Sequence, residues 1–322
     1  MTSPCDHYRY SIIIPHYNSA KTLMRLLESI TTKADIQIII VDDNSSTDMG
    51  EAGDYIKNRL QCEFYVNETG IQSAGACRNI GLSHAKGEWI LFADADDYFV
   101  EGFIGVIDRW YDSGHDFIMF VPTSADEIGG ELSDRHIRYE KLIREYQESP
   151  NRQNELNLRY RFDPPWSKMI RRRYLEAHQI GFETVPAAND VMFSARLSYH
   201  AASFGVADET IYVVTKSRTS LKHAPGVEQF LLRKEAFVRQ YRFLRQNMKR
   251  DDWKLLGLSG DPYLYTILRK GYGWDVLRAT YIGFRTNQIR LTWRNSNMII
   301  IGLRSLWYRV KGKVRPGIVV FD

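Results

Sequence analysis

Three stretches of this chain run apolar without alternation and then stop on polar or acidic residues: YSIIIP at 10–15, IQIIIVDD at 36–43 and EWILFADADD at 88–97. This constrains the fold more than any other feature. A strand with one wet face alternates apolar and polar residues, whereas a strand apolar on both faces belongs in a parallel sheet covered by helices on either side. Helical segments lie between the strands. NSAKTLMRLLESI (18–30) places Leu23, Leu26, Leu27 and Ile30 at i, i+3, i+4 and i+7, with Asn18 or Ser19 available as a cap. EFYVN is a further strand, QSAGACRNIGLSHAKG a small-residue helix stopped by Gly87, FIGVIDRWY a helix and DFIMFVP a strand. The alternation predicts an α/β fold with a Rossmann-like, mostly parallel sheet and helices on both faces.

In such sheets ligands bind outside the carboxyl ends of the strands, where strand order reverses. The loops PHYN, VDDNSSTD and ADADD each follow a strand end and are predicted to open on one crevice. Two strands therefore deliver carboxylates to one rim. Asp94 and Asp96, two apart near a strand end, point to the same side. Two carboxylates held together repel unless a cation, a proton or a basic residue lies between them. Mg²⁺ or Mn²⁺ fits, since such ions prefer oxygen ligands and leave positions for phosphate oxygens. The alternative is an Asp-rich turn, and VDDNSSTD carries the same ambiguity between turn and ligand contact. Arg78 is either a surface arginine on its helix or a contact for the diphosphate and the acidic rim.

Beyond residue 125, Gly129–Gly130 punctuates, and 135–157 reads as an exposed helix or a mobile segment. PPWSKMIRRRYLEAHQIGF resumes order, VPAANDVMFSARLSYHAASFG is a helix leading to a strand, and ETIYVVTK is another strand. From Glu228 to about Asn247 the sequence is helical, and the remainder is largely helical and basic. The predicted division is a catalytic domain over 1–225 and a helical basic region over 226–322.

Taken together, SIIIPHYNSAKTLMRLLESI, IIIVDDNSSTD, SAGACRNIGLSHAKGEWILFADADD and PWSKMIRRRYLEAHQIGF resemble, in order and spacing, the family-2 glycosyltransferases of the GT-A fold, in the flavour of bacterial enzymes that assemble surface polysaccharide. The resemblance spans about residues 10–200. It implies a nucleotide-sugar donor, UDP by family habit, a glycan or lipid-linked glycan acceptor, and inversion by one displacement. It also assigns residues. Pro15, Tyr17 and Asn18 line the base pocket, and Asp43, with Asp42, contacts the base. Arg78 matches the arginine of an A-R-N element in which Cys77 replaces the Ala. In the Asp94-Ala95-Asp96 motif, Asp94 meets ribose and diphosphate and Asp96 binds Mn²⁺ or Mg²⁺, with Asp97 assisting. The general base that inversion requires falls on Asp190 in AAND, where Asn189 replaces the family's Glu; the alternative for Asp190 is a first-turn acid favoured by the helix dipole. Trp166 and Lys168 match a W-x-K element on the acceptor side, the alternative for a Trp after Pro-Pro being a core plug, and His223 matches a loop that closes over diphosphate or metal, the alternative being a solvated loop histidine.

The charge is uneven. From residue 267 onward there are 11 Lys/Arg against two acids, within a chain whose formal net charge is +4. Basic residues mixed with Ile, Leu, Trp and Tyr, as in NMIIIGLRSLWYRVKGKVR, suit an anionic membrane surface; a helical subdomain with solvated charges and a nucleic-acid surface are the alternatives, and nucleic acid is not expected. Three cysteines make neither a disulfide framework nor a zinc pattern. With no signal-peptide pattern and no long apolar run, the expected location is cytoplasmic, peripheral on the inner face of the membrane. A nucleotidyltransferase would need a Gly-rich, Lys-containing phosphate loop after the first strand, which PHYNSAKT does not supply. A non-catalytic binding module leaves the acids at two buried strand ends unexplained.

Overall fold

The Ile-rich strand β1 (Tyr10–His16) lies in the middle of the fold, paired in parallel with β2 (Ile36–Asp42) on one side and β4 (Trp89–Phe92) on the other, and β3 (Cys62–Val66) adds in parallel beyond β2. The computed structural model describes residues 8–30, 35–59, 61–126, 133–216 and 226–292. Helices α1 (Ala20–Ser29), α2 (Gly50–Lys57) and α3 (Ala74–His84) connect these strands. The chain then passes through β5 (Tyr98–Phe99), α4 (Phe103–Trp110), β6 (Phe117–Met119) and β7 (Thr123–Asp126). Two helices, α5 (Ile137–Glu148) and α6 (Arg152–Arg161), occupy the stretch left open as helix or mobile segment. They bury Ile143, Leu156 and Leu158, which ties them to the molecule. Next come β8 (Lys168–Arg171), α7 (Arg172–Ala177), α8 (Asp190–His200), β9 (Phe204–Val206) and β10 (Tyr212–Lys216).

The large sheet has seven strands in the order β3-β2-β1-β4-β8-β6-β9, and β5, β10 and β7 form a small second sheet. Strand order reverses between β1 and β4, so the crevice predicted for the acidic loops opens where the two strand ends diverge. The mostly parallel α/β reading holds, with one addition. Strand β8 runs antiparallel between β4 and β6.

Burial explains why the strands read apolar throughout: every residue of β2 and β4 is buried. Two of the buried polar residues in the central strands, Ser11 and Gln37, bond each other. Ser11 donates to Gln37 Oε1 at 2.6 Å and accepts from the Gly87 amide at 2.8 Å. Helix α3 lies close on β1, because a Cβ at Gly81 would meet Ile13 Cγ2 at 2.4 Å. The small residues of that helix are what such an approach demands.

Contacts divide the chain into two units, Met1–Ala224 and Pro225–Asp322. The second is helical over its described residues: α9 (Val227–Asn247), α10 (Arg250–Leu256), α11 (Asp261–Lys270) and α12 (Trp274–Thr286). It has its own core, built on Phe230, Phe237, Tyr241, Leu264, Ile267 and Phe284. Among the described residues no helix is long and apolar enough to cross a membrane.

Candidate active site

The loops after β1 and β2 interlock. Asp42 turns inward: one oxygen lies 2.8 Å from His16 Nδ1, and the other accepts from the Ser45 amide at 2.9 Å. Burial alone raises its carboxyl, but the hydrogen bonds from Ser45 and His16 outweigh this and hold it below the ordinary value. Asn18 adopts the left-handed conformation (φ 47°), and its side-chain oxygen accepts from the amides of Ser46 at 2.8 Å and Thr47 at 3.2 Å. Asp42 is buried and its hydrogen bonds shape the two loops, while Asn18 ties them together from an exposed position. Asp43 accepts from Asn67 Nδ2 at 2.6 Å. Burial and the charge of Asp43 push the Cys77 thiol beside it up to about 12. Pro15 is partly exposed and the Tyr17 ring is half exposed, so these two present the surface of the first loop.

Arg78 projects from α3 and joins the two halves of the crevice. Its Nη2 donates to Asp94 Oδ1 at 2.6 Å, and its Nη1 donates to Asn189 Oδ1 at 2.9 Å. Arg78 is 5% exposed, and its guanidinium lies over the Phe182 ring at 5.2 Å. Asn189 immediately precedes Asp190, the first residue of α8. The turn before it is forced, since Ala188 takes φ 57°, a conformation that side chains with a Cβ rarely adopt and that concentrates at functional sites. The turn is held from α3. Ser73 Oγ donates to the Val185 carbonyl at 2.7 Å, and a Cβ at Gly75 would lie 2.2 Å from the Glu183 carbonyl and 2.9 Å from Asn189 Cβ. The Asp190 carboxyl is held above its ordinary value, chiefly by burial, with the positive charge of Arg78 working against the rise.

After β4 the three acids separate. The Asp94 amide donates to the Tyr212 hydroxyl at 2.8 Å, and a turn closes from the Asp97 amide to the Asp94 carbonyl at 3.0 Å, burying Ala95. Asp97 is buried, accepting from Tyr212 at 2.9 Å and from the Thr215 amide at 2.7 Å. It ties β4 to β10 and does not face the crevice, which corrects its expected assisting role. Burial and the charges of Asp96 and Asp94 push it well above the usual carboxylate range. Asp96 is exposed, and desolvation by the surrounding protein together with the negative charge of Asp94 raises its carboxyl. Two arginines oppose this rise, Arg135 and Arg25. Arg25 donates to the Asp96 carbonyl and to Thr215 Oγ1 at 3.0 Å, and Arg135 donates to the Thr215 carbonyl at 2.6 Å.

With Asp94 engaged by Arg78 and Asp97 buried, Asp96 is the acid of the motif left to hold a cation. Its exposed carboxylate, with Asp94 two residues before it, offers the oxygen ligands that a hard ion such as Mn²⁺ or Mg²⁺ prefers. Among the described residues no three His, Cys, Asp or Glu side chains gather to enclose an ion; ions of this class commonly complete their shell with phosphate oxygens and water. His223, the other expected ligand, lies outside the described residues.

Trp166 and Lys168, expected on the acceptor side, are packed into the interior. Trp166 is buried, stacked 6.1 Å from Tyr212 and edge-on to Tyr139. Lys168 is 1% exposed and its ammonium donates to the Phe162 and Pro164 carbonyls at 2.7 and 2.6 Å. Burial brings its pKa down to about 7, with Asp163 and Asp190 resisting. It fixes the segment before β8. The residues the sequence reading missed are Asn67, Gly75, Tyr212, Arg25 and Arg135. Gly75, in the small-residue run, carried a readable signal; the others are common residue types whose role comes from tertiary placement.

A Rossmann-like sheet with an Asp-x-Asp turn at the β4 end, faced by a helix-start acid across an arginine, is the architecture of a nucleotide-sugar-dependent transferase fold. Residues 11–179 match glycosyl transferase family 2, and the chain belongs to that family. TarS of Staphylococcus aureus, a poly(ribitol-phosphate) beta-N-acetylglucosaminyltransferase, is 25% identical over 214 residues, covering 65% of this chain and 36% of TarS. The chain thus spans about a third of that relative's length. EpsH of Bacillus subtilis is 26% identical over 257 residues, covering 76% of this chain and 71% of EpsH. Among solved structures, TarS 1-349 with UDP-GlcNAc superposes with a TM-score of 0.58 at 17% identity, over 98% of this chain and 99% of the other. The mannosyltransferase PcManGT of Pyrobaculum calidifontis, with GDP-Man and Mn²⁺, gives 0.55 at 15% identity, over 97% and 83%. These likenesses establish a GT-A-like fold.

Proposed function

We propose that this chain is a metal-dependent, inverting glycosyltransferase that moves a hexosyl or N-acetylhexosaminyl group from a UDP-sugar to a hydroxyl of a glycan or lipid-linked glycan, in assembly of a bacterial surface polymer such as capsule, O-antigen or lipopolysaccharide. The observation that carries it is the Arg78 bridge, which sets Asp94, at the acidic strand end, and Asn189, beside Asp190, on one guanidinium. Pro15, Tyr17 and Asp43 border the base, and Asp94 and Arg78 the ribose and diphosphate. Asp190 takes the acceptor proton as the hydroxyl oxygen bonds to the anomeric carbon, and the bond to the diphosphate breaks with its electron pair leaving on UDP. Asp96 would hold Mn²⁺ or Mg²⁺, which when bound offsets charge on the departing diphosphate. The relatives support the polymer class, since TarS is named for a poly(ribitol-phosphate) acceptor and its structure holds UDP-GlcNAc. The basic second unit meets an anionic membrane face, so that the enzyme works peripherally on the cytoplasmic side.

The test is UDP release from a panel of UDP-sugars and surface-glycan acceptors, with the anomeric configuration of the product read by proton NMR. Inverted product from the wild type, and none from Asp190→Asn while that variant still binds UDP, supports the assignment. Retained configuration, or full turnover by Asp190→Asn, contradicts it.

A further inference from the structure

The second unit contains a cleft that the transfer reaction does not use. It lies where the C-terminal ends of α9 and α12 approach the segment 287–292, as two adjoining spaces of about 440 and 570 Å³ that share Gln288. Both fall in the size range of ligand clefts, about 300–1,000 Å³. Four arginines line them, Arg242, Arg245, Arg285 and Arg290, with no Asp or Glu among the described lining residues.

These cations are not consumed by the fold. All four are exposed. Among the described residues, Arg242, Arg285 and Arg290 make no ion pair, and Arg245 bonds only the Gln288 carbonyl and side-chain oxygen, at 3.2 and 2.8 Å. A cation near a helix C-terminus can serve simply to offset the dipole. Here several last-turn carbonyls have other partners: the Met248 amide donates to the Leu244 carbonyl at 2.8 Å, Asn287 Nδ2 to the Gly283 carbonyl at 2.8 Å, and the Ile289 amide to the Phe284 carbonyl at 2.8 Å.

The rim is also fixed. The Arg290 amide donates to the Tyr241 hydroxyl at 2.8 Å, its carbonyl accepts from the Gly260 amide at 2.9 Å, and the Thr292 amide and hydroxyl both donate to the Asp261 carboxylate. Like charges gathered on a rigid rim repel one another, and an anion relieves them. Guanidinium groups match phosphate best, through paired hydrogen bonds.

We propose that this cleft is a phosphate site, taking a phosphodiester or pyrophosphate group of a molecule other than the sugar donor. It goes beyond the anionic contact proposed for this unit by naming a discrete site, and it stands whether or not the chain transfers sugar. The experiment is calorimetric titration of the full chain with tripolyphosphate at low salt. The comparison is between Arg242→Gln with Arg290→Gln, and Lys254→Gln with Arg278→Gln, which removes the same charge elsewhere on the second unit. The expected result is saturable binding weakened at least about tenfold in the first pair and little in the second. No saturable binding by the wild type, or equal weakening in both pairs, overturns the proposal. Co-sedimentation with phosphatidylglycerol vesicles separates the sources: loss in the first pair alone assigns a lipid headgroup, whereas tripolyphosphate binding without vesicle binding assigns a soluble phosphate-bearing molecule. UDP binding, measured in parallel, is unchanged in both pairs and separates this outcome from any failure of the donor site.

Discussion

Replacing Arg78 with Met keeps the aliphatic bulk but removes both bonds that join the two sides of the crevice. The bond to Asn189 is buried and charge-assisted, worth about 1.5–3 kcal/mol. Asp94 is 33% exposed at its side chain, so solvent screens that pair to about 1 kcal/mol or less. The loss of stability is therefore about 2–4 kcal/mol, and at about 2–4 °C per kcal/mol for a unit of this size the melting temperature falls by about 4–16 °C. The chemistry moves in a direction that instability alone does not produce. Arg78 favours the ionised form of Asp190, so its loss raises that carboxyl further and shifts the acid limb of the pH–rate profile upward. Displacement of the turn that carries Asp190 lowers turnover about 100-fold. Calorimetry on the full chain, with Asn189→Ala and the double variant, closes a cycle whose coupling is expected at about 1.5–3 kcal/mol. Coupling below about 0.5 kcal/mol, or an acid limb that stays in place, would refute the bridge.

Gly75→Ala drives a methyl group into the Glu183 carbonyl and Asn189; the catalytic unit loses about 1–3 kcal/mol, and transfer falls further than UDP affinity, as a KM-against-kcat comparison shows. Lys168 titrates near 7 when folded against 10.5 when unfolded, so the cost of burying its charge is complete below pH 7 and fades as pH rises toward 10.5. Stability to urea is therefore expected to gain about 2 kcal/mol between pH 7 and 9, a slope that Lys168→Met abolishes; equal slopes would remove Lys168 as its source. For the wild type, the raised Asp190 carboxyl predicts that transfer falls on acidification at a pH above the ordinary aspartate range, read from kcat over a pH series.

Some of this was written plainly in the chain. The runs at 10–15, 36–43 and 88–92 announce themselves because both faces of each strand are buried, and the family motifs carried the reading to Asp94, Asp96 and Asp190. Short strands behaved differently. β5 has two residues, too few for local periodicity, and β8, KMIR, mixes two cations with two apolar residues; their pairing is decided by tertiary contacts. Adjacent acids were another limit: Asp42 and Asp43 are neighbours at a strand end, their side chains leave on opposite faces, and only packing shows that Asp42 is committed to Ser45 and His16. The W-x-K element says nothing of burial at Trp166 and Lys168; two backbone carbonyls hold this lysine in the interior.

The most direct measurement is the melting temperature of wild type and Asp96→Ala with UDP, in Mn²⁺, in Mg²⁺ and in EDTA. Ligand that binds only the folded chain raises it by mass action. A shift with UDP that needs the divalent ion and disappears in Asp96→Ala is the predicted result. A shift of equal size in EDTA, or one that survives in Asp96→Ala, would contradict the metal-assisted site at the end of β4.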